Sequence, residues 1–275
     1  ALLLNPQNDN LKRRLAFLKP DEELFYGAFR IPEGEIPPAG AGLEGEPLVI
    51  LLHNTFVSVE PSGLSSRYVQ FVTKVQDLTG VKAMSSFPIT FDPDWQDVRV
   101  LDSSVTRPDG TKIRAQSYVT SSLSDPQYQL YYRNRQLVLT FPSLKEGDTV
   151  SIEYLLTDTS EANTFGHYFG DLVPFEETSP VMVKRYTLRV PDSLQVAYAP
   201  HKLDIEPSVI KAMGKTTWQW VRKDIPKSRP EAYSPGFGER SSYLHVSTFK
   251  SWEELGAWYS SFIRDQWELG SEAKA

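Results

Sequence analysis

The 275 residues contain no cysteine, which excludes disulfides, thiolate metal sites and a cysteine nucleophile from this chain. Long apolar runs are also missing. The longest, Leu48 to Leu52, falls far short of the roughly 20 residues that a membrane-spanning helix needs, so no membrane-spanning segment is expected. Histidine is scarce, and His53, His167, His201 and His245 lack the i, i+4 spacing of a helical metal pair. Each reads as a surface or satisfied core histidine, and neither a metal nor a cofactor is expected. Basic charge is in the minority: 29 Lys and Arg face 35 Asp and Glu, for a net charge of −6. No basic stripe suits a phosphate backbone, so nucleic acid is not an expected partner. Ala1-Leu2-Leu3-Leu4 has no Met start and no positively charged stretch before it, which argues against a signal peptide and for a piece of something longer.

What is present is a globular composition. Hydrophobic residues make up 40% and charged residues 23%, which rules out wholesale disorder, and the length suits one large or two ordinary domains. Asn5 and Pro6 suit a helix start, with Leu11, Leu15 and Leu18 on one face and Pro20 as the stop. This segment, 1–20, resembles the last helix of a tetratricopeptide array, and it equally fits an ordinary helix packed on its own domain. Residues 21–47 read as a linker or long surface loop rich in Pro, Gly and Glu. Within them Gly40-Ala41-Gly42-Leu43-Glu44-Gly45 is a formal dinucleotide motif. Pro37-Pro38 before it and Pro47 after it deny the strand and helix that such a site needs, so the nucleotide reading is rejected.

Short alternating apolar segments follow, the pattern of a β-sandwich rather than of βαβ units. Val69, Phe71 and Val75 alternate, as do Val150, Ile152, Tyr154 and Leu156, and then Met182, Tyr186, Leu188 and Val190. Pro108-Asp109-Gly110 predicts a tight hairpin turn, and Lys145-Glu146-Gly147-Asp148 predicts another before the Val150 strand, with Leu137, Leu139 and Phe141 as its partner. Trp218 and Trp220 share one face of a later strand as core anchors. Near the C-terminus Ser251-Trp252-Glu253-Glu254 fits a capping box. Trp252, Leu255, Tyr259, Phe262, Ile263 and Trp267 then form one helical stripe that needs a partner surface. The predicted fold is mainly β: an antiparallel β-sandwich with short helices at both ends.

Two aromatic stretches are candidate binding surfaces for peptide or glycan. One is Tyr128, Tyr131 and Tyr132 beside Arg133 and Arg135; the other is the loop around His167 and Tyr168. The competing reading is a Tyr-rich strand edge and a loop packed between sheets. Asp92-Pro93-Asp94 lacks the later ligands of a calcium loop, and no nucleophile elbow or phosphate loop occurs. A carboxylate pair for hydrolysis is a third reading, although nothing in the sequence selects one pair.

Order and spacing of several pieces resemble a known family. Arg107-Pro108-Asp109-Gly110 is followed by Leu139-Thr140-Phe141-Pro142-Ser143-Leu144-Lys145-Glu146-Gly147-Asp148 and Ile152-Glu153-Tyr154. Pro180-Val181, Tyr186-Thr187-Leu188-Arg189-Val190-Pro191, Trp218-Gln219-Trp220, Pro230-Glu231 and Val246-Ser247 come after. Over about residues 48–267 this resembles the domain of unknown function that precedes transglutaminase-like cores in bacterial proteins. The resemblance implies an immunoglobulin-like sandwich over 48–180, a second β-rich portion over 181–249, that 250–275 opens such a papain-like core, and that its neighbours are domains of the same chain. It also implies a cell envelope or periplasmic setting. Cores of that kind use Cys, His and Asp. Without a Cys, no catalytic residue carries over to any position here, and the chain itself is expected not to be an enzyme.

Overall fold

The structure, a computed structural model, describes residues 25–114, 117–123, 133–159, 166–228, 233 and 236–264. Eight strands form one sheet in the order β12 (Ser208–Ala212), β13 (Lys215–Ile225), β10 (Val181–Pro191), β1 (Leu48–Val59), β2 (Ser65–Val75), β8 (Thr149–Asp158), β4 (Gln96–Thr106) and β5 (Lys112–Arg114). Two three-stranded sheets accompany it. One runs β11 (Ala197–His201), β14 (Tyr243–Ser247), β9 (Gly170–Pro174); the other runs β3 (Ser86–Phe91), β7 (Arg135–Thr140), β6 (Ser117–Ser122). The mainly β expectation holds. Strands of the 48–180 and 181–249 stretches share the large sheet, and the antiparallel pattern is interrupted where β10 lies parallel to β1.

The alternations seen in the sequence set which face each small sheet covers. Tyr186, Leu188, Val190, Trp220, Val57 and Val59 point from β10, β13 and β1 into one core, where they meet Val173, Leu244 and Val246 of the first small sheet. Val150, Ile152, Val105 and Val75 point from the other half into a second core with Ile89 and Leu139 of the second small sheet. Each fully buried large apolar side chain stabilises these layers by about 1.5–3 kcal/mol.

The turn chemistry is as expected in two places. Gly110 takes φ 86° in the β4–β5 hairpin, and Gly147 takes φ 83° ahead of β8. The partner expected for the Val150 strand is corrected. β7, with Leu137 and Leu139, pairs with β3 and β6, whereas β8 pairs with β2 and β4. Between β7 and β8, Phe141 and Leu144 are buried and Asp148 accepts hydrogen bonds from the Lys145 N–H at 2.7 Å and from Arg107 at 2.6 Å. That turn carries the chain from one layer down to the next instead of closing a hairpin.

A short helix, α1 (Leu78–Met84), was not anticipated. It is capped by Asp77, whose side chain accepts the Gly80 N–H at 2.8 Å. Gly80 is required there, because a Cβ would stand 2.0 Å from the Pro47 carbonyl oxygen. The other helices are α2 (Phe237–Arg240) and α3 (Trp252–Ile263).

The opposite face of the large sheet is covered by the segment read as a linker or surface loop. Tyr26 stacks on Tyr68 at 4.4 Å, Phe29 stacks on Phe56 at 3.9 Å, and Ile31 packs with Val49, Leu52 and Val72. Gln70 pairs with both backbone groups of Ile31, and Asn54 donates to the Phe29 carbonyl at 2.8 Å. Arg30 makes a two-pronged ion pair with Glu153, which also accepts the Tyr68 hydroxyl at 2.7 Å. Few apolar residues suffice here because the sheet's own polar side chains satisfy the backbone of the strap.

Candidate functional site

Tyr128, Tyr131 and Tyr132 lie outside the described residues. Arg133 and Arg135 are exposed and line an open cleft with Asp94, Thr120, Ser121 and Ser122. His167 is exposed, with Nδ1 2.9 Å from the Pro61 carbonyl oxygen. Tyr168 is half-buried and stacks on Phe249 at 4.7 Å. Arg135 belongs to β7, whereas His167 and Tyr168 lead into β9, so the structure places the two candidate groups on different small sheets.

The predicted cap of α3 is present, since Ser251 accepts the Glu254 N–H at 3.2 Å. Glu254 reaches back one residue beyond the usual capping-box position, to the Lys250 N–H at 2.8 Å. Trp252 is 83% exposed and Tyr259 55%, while Leu255 and Ile263 are half-buried; the Phe262 side chain and Trp267 lie outside what the structure describes. Trp258, absent from the predicted stripe, faces Phe249 at 5.8 Å and joins the helix to the Tyr168 ring. Leu255 and Trp258 are half-buried, whereas Trp252 and Tyr259, three and four residues from Leu255 on the adjoining surface of the helix, stay exposed.

Polar groups gather at one further place, on the face that the two small sheets cover. Across the centre of the large sheet, β10 and β2 flank β1, and His53 lies beside Lys184 on one side and Phe71 on the other. Glu177, just past β9, reaches down to both: its Oε1 is 3.0 Å from His53 Nδ1 and 2.5 Å from Lys184 Nζ. A second cluster stands further along, where Asp171 of β9 accepts from Arg67 at 2.6 Å and from the Tyr186 hydroxyl at 2.8 Å. The side chains of His53, Glu177 and Arg67 are each about a quarter exposed, and Phe71 and Tyr154 are half-buried. β1 and β2 are the fourth and fifth strands of eight. Exposure at the middle of the sheet means that the two small sheets do not meet above it. A cleft lies between them, with rings on its floor and ion pairs along its wall.

The cleft tunes its titratable groups. Burial lowers the His53 pKa, and the neighbouring Lys184 charge adds to that. The imidazole is therefore neutral near pH 7. Donating Nδ1–H to Glu177, it presents Nε2 as an acceptor. Burial works to raise Glu177, but hydrogen bonding to His53 and the Lys184 charge prevail and hold it down at about 2. Burial lowers Lys184, an effect that Glu177 opposes, and burial raises Tyr154. Among the described residues no three His, Asp or Glu side chains are grouped to hold a metal ion.

Of these groups Phe71, Tyr154 and Tyr186 were read from the sequence only as inward strand positions, and His53 only as a lone histidine. Lys184 carries a readable signal: it occupies an inward position in the alternation that continues through Tyr186, Leu188 and Val190, where an apolar residue is the rule. Glu177 and Asp171 carry none: each joins a partner on β10, Lys184 or Tyr186, to one more than 100 residues away on β1 or β2, His53 or Arg67.

The profile of DUF3857, a domain of unknown function with solved structures, matches residues 61–229. The chain belongs to the DUF3857 family. Its fold is similar to that of a Parabacteroides distasonis protein provisionally named a protease, with a TM-score of 0.65 and 17% identity over 81% of this chain and 47% of that one. The DUF3857 chain thus spans about half the length of that protein. An M1 zinc metallopeptidase from Deinococcus radiodurans matches at a TM-score of 0.38 and 13% identity, over 73% of this chain and 42% of its own. Yeast LTA4 hydrolase matches at 0.35 and 13%, over 73% and 29%. Those two scores imply nothing about this domain. No curated protein matches the chain.

Proposed function

We propose that this DUF3857 domain is a non-catalytic β module that positions or gates a transglutaminase-like core following it in a longer bacterial chain, and that it links this core to preceding helical repeats. One observation carries the reading. α3 is capped by Ser251 and held against the β body through Trp258 and Phe249, yet it presents Trp252 and Tyr259 to solvent at 83% and 55% exposure. Large rings fixed on an ordered helix form a contact surface, and a neighbouring domain would bury them. The order of sequence pieces that resembles the family of this arrangement supports the same reading. So does the protease name of a relative about half of whose chain lies beyond the shared fold.

The test compares this chain with a longer one that continues past Ala275, using amidase, transamidase and peptidase substrates. Activity only in the longer protein, lowered at least tenfold by the double change Trp252→Ala and Tyr259→Ala with the β body's thermal midpoint unchanged, is the expected result. Activity in the 275-residue chain that one substitution abolishes would overturn the reading, as would a longer protein indifferent to the double change.

A further inference from the structure

Each small sheet has an edge strand, β9 in one and β3 in the other, and the backbone chemistry of these two edges differs. Among the described residues β9 pairs only with β14, and β3 only with β7, so each has one edge without a strand partner there. In an antiparallel ladder alternate residues exchange both backbone bonds with the partner, and those between them point the other way. The Phe175 N–H donates to the Ser242 carbonyl and the Thr248 N–H to the Phe169 carbonyl, which fixes Asp171 and Val173 as the residues bonded to β14. Gly170 and Leu172 therefore turn their N–H and C=O groups to the open edge, and among the described residues nothing pairs with them there. The same rule applied to β3, anchored by the bond from Phe141 N–H to the Ser85 carbonyl, turns Ser86, Pro88 and Thr90 outward. Pro88 has no N–H to give, so that edge is blunted at its centre.

The β9 edge overlooks the cleft, because Asp171 and the nearby Glu177 are the groups that reach down to Arg67 and His53. A row of donors and acceptors at strand spacing, set roughly 10 Å above a sheet, is complementary to one kind of molecule. We propose that an extended polypeptide segment from a partner protein binds here as a fourth strand on the β9 edge. Its backbone pairs with Gly170 and Leu172. Its inward side chain is apolar and sits over Phe71 and Tyr154, with the His53–Glu177–Lys184 cluster at one end and the Arg67–Asp171 pair at the other. Pro174, which ends β9 and offers only a carbonyl, limits the paired stretch to about five residues. Specificity then comes from side-chain pockets and affinity from the main chain, as in other cases of strand addition. The inference does not rest on the function proposed above.

The test presents the whole chain with a phage-displayed library of random heptapeptides, then uses the enriched sequence as a synthetic peptide. Leu172→Pro removes the outward N–H without touching the β14 ladder. The expected results are enrichment of sequences with a central apolar residue, and affinity that falls at least tenfold in Leu172→Pro. The same fall is expected when the peptide is N-methylated at alternate amides, an arm that decides the matter even if the proline variant folds poorly. No enrichment, or affinity indifferent to both changes, would overturn the proposal. So would a dimer of this chain that the peptide fails to displace, since a second copy would then be the occupant.

Discussion

The two faces of the large sheet solve the same problem in opposite ways. On the strap face, polar side chains of β1, β2 and β8 are aimed at backbone or at one well-paired arginine, and the rings of Tyr26, Phe29, Phe56 and Tyr68 close over them. On the cleft face, ion pairs of the same kind are left partly wet between two small sheets. The first arrangement spends its polar groups on holding the fold. The second keeps charges, rings and a strand edge where another molecule can reach them, and proteins place binding groups on such open margins of a rigid scaffold.

The contrast should appear first in stability. Phe56 is fully buried between the strap and the sheet and has the Arg189 guanidinium 4.9 Å from its ring, so Phe56→Ala should cost about 3–5 kcal/mol in denaturant unfolding. Glu153→Gln leaves Arg30 and the Tyr68 hydroxyl with a weaker partner and should cost about 1–3 kcal/mol. Loss of either effect would mean that the strap does not close the face.

A pH series sharpens the comparison on the other side. His53 has a folded pKa below its ordinary 6.5, so its contribution is fully present above that pH and declines below it as the unfolded chain takes up the proton. Glu177, held at about 2 against an ordinary 4.5, contributes above 4.5 and is lost as the pH falls toward 2. The thermal midpoint should therefore sag in two stages on acidification, and Glu177→Gln should remove the lower one. The smallest effect is expected at Trp252. Its ring is almost wholly exposed, so Trp252→Ala should change the stability of this chain by no more than about 0.5 kcal/mol. A larger loss would show that the ring already has a partner within the chain.

The sequence made the strands legible because β alternation is a local property. Val150-x-Ile152-x-Tyr154 and Tyr186-x-Leu188-x-Val190 show their inward faces without any knowledge of partners. Pairing was less accessible. The parallel neighbour of β1 is β10, more than 120 residues later, and the turn at Gly147 looks like a hairpin turn whether the chain returns beside its predecessor or drops to another layer. The strap was hidden for a different reason. Pro, Gly and Glu at 31–47 give no periodicity, and the partners that hold the strap are polar residues of β1, β2 and β8. The candidate site followed suit: a lysine inside an apolar alternation was visible, whereas its carboxylate came from a loop after β9.

Amide hydrogen exchange on the peptide-free chain tests most directly whether one face is closed and the other open. The Ile31 N–H, bonded to the buried Gln70 side chain at 3.0 Å, should exchange slowly, and so should the Asp171 and Val173 amides bonded to β14. The Gly170 and Leu172 amides on the same strand should exchange fast. Protection at Leu172 equal to that at Val173 would show the edge already paired and would contradict the account.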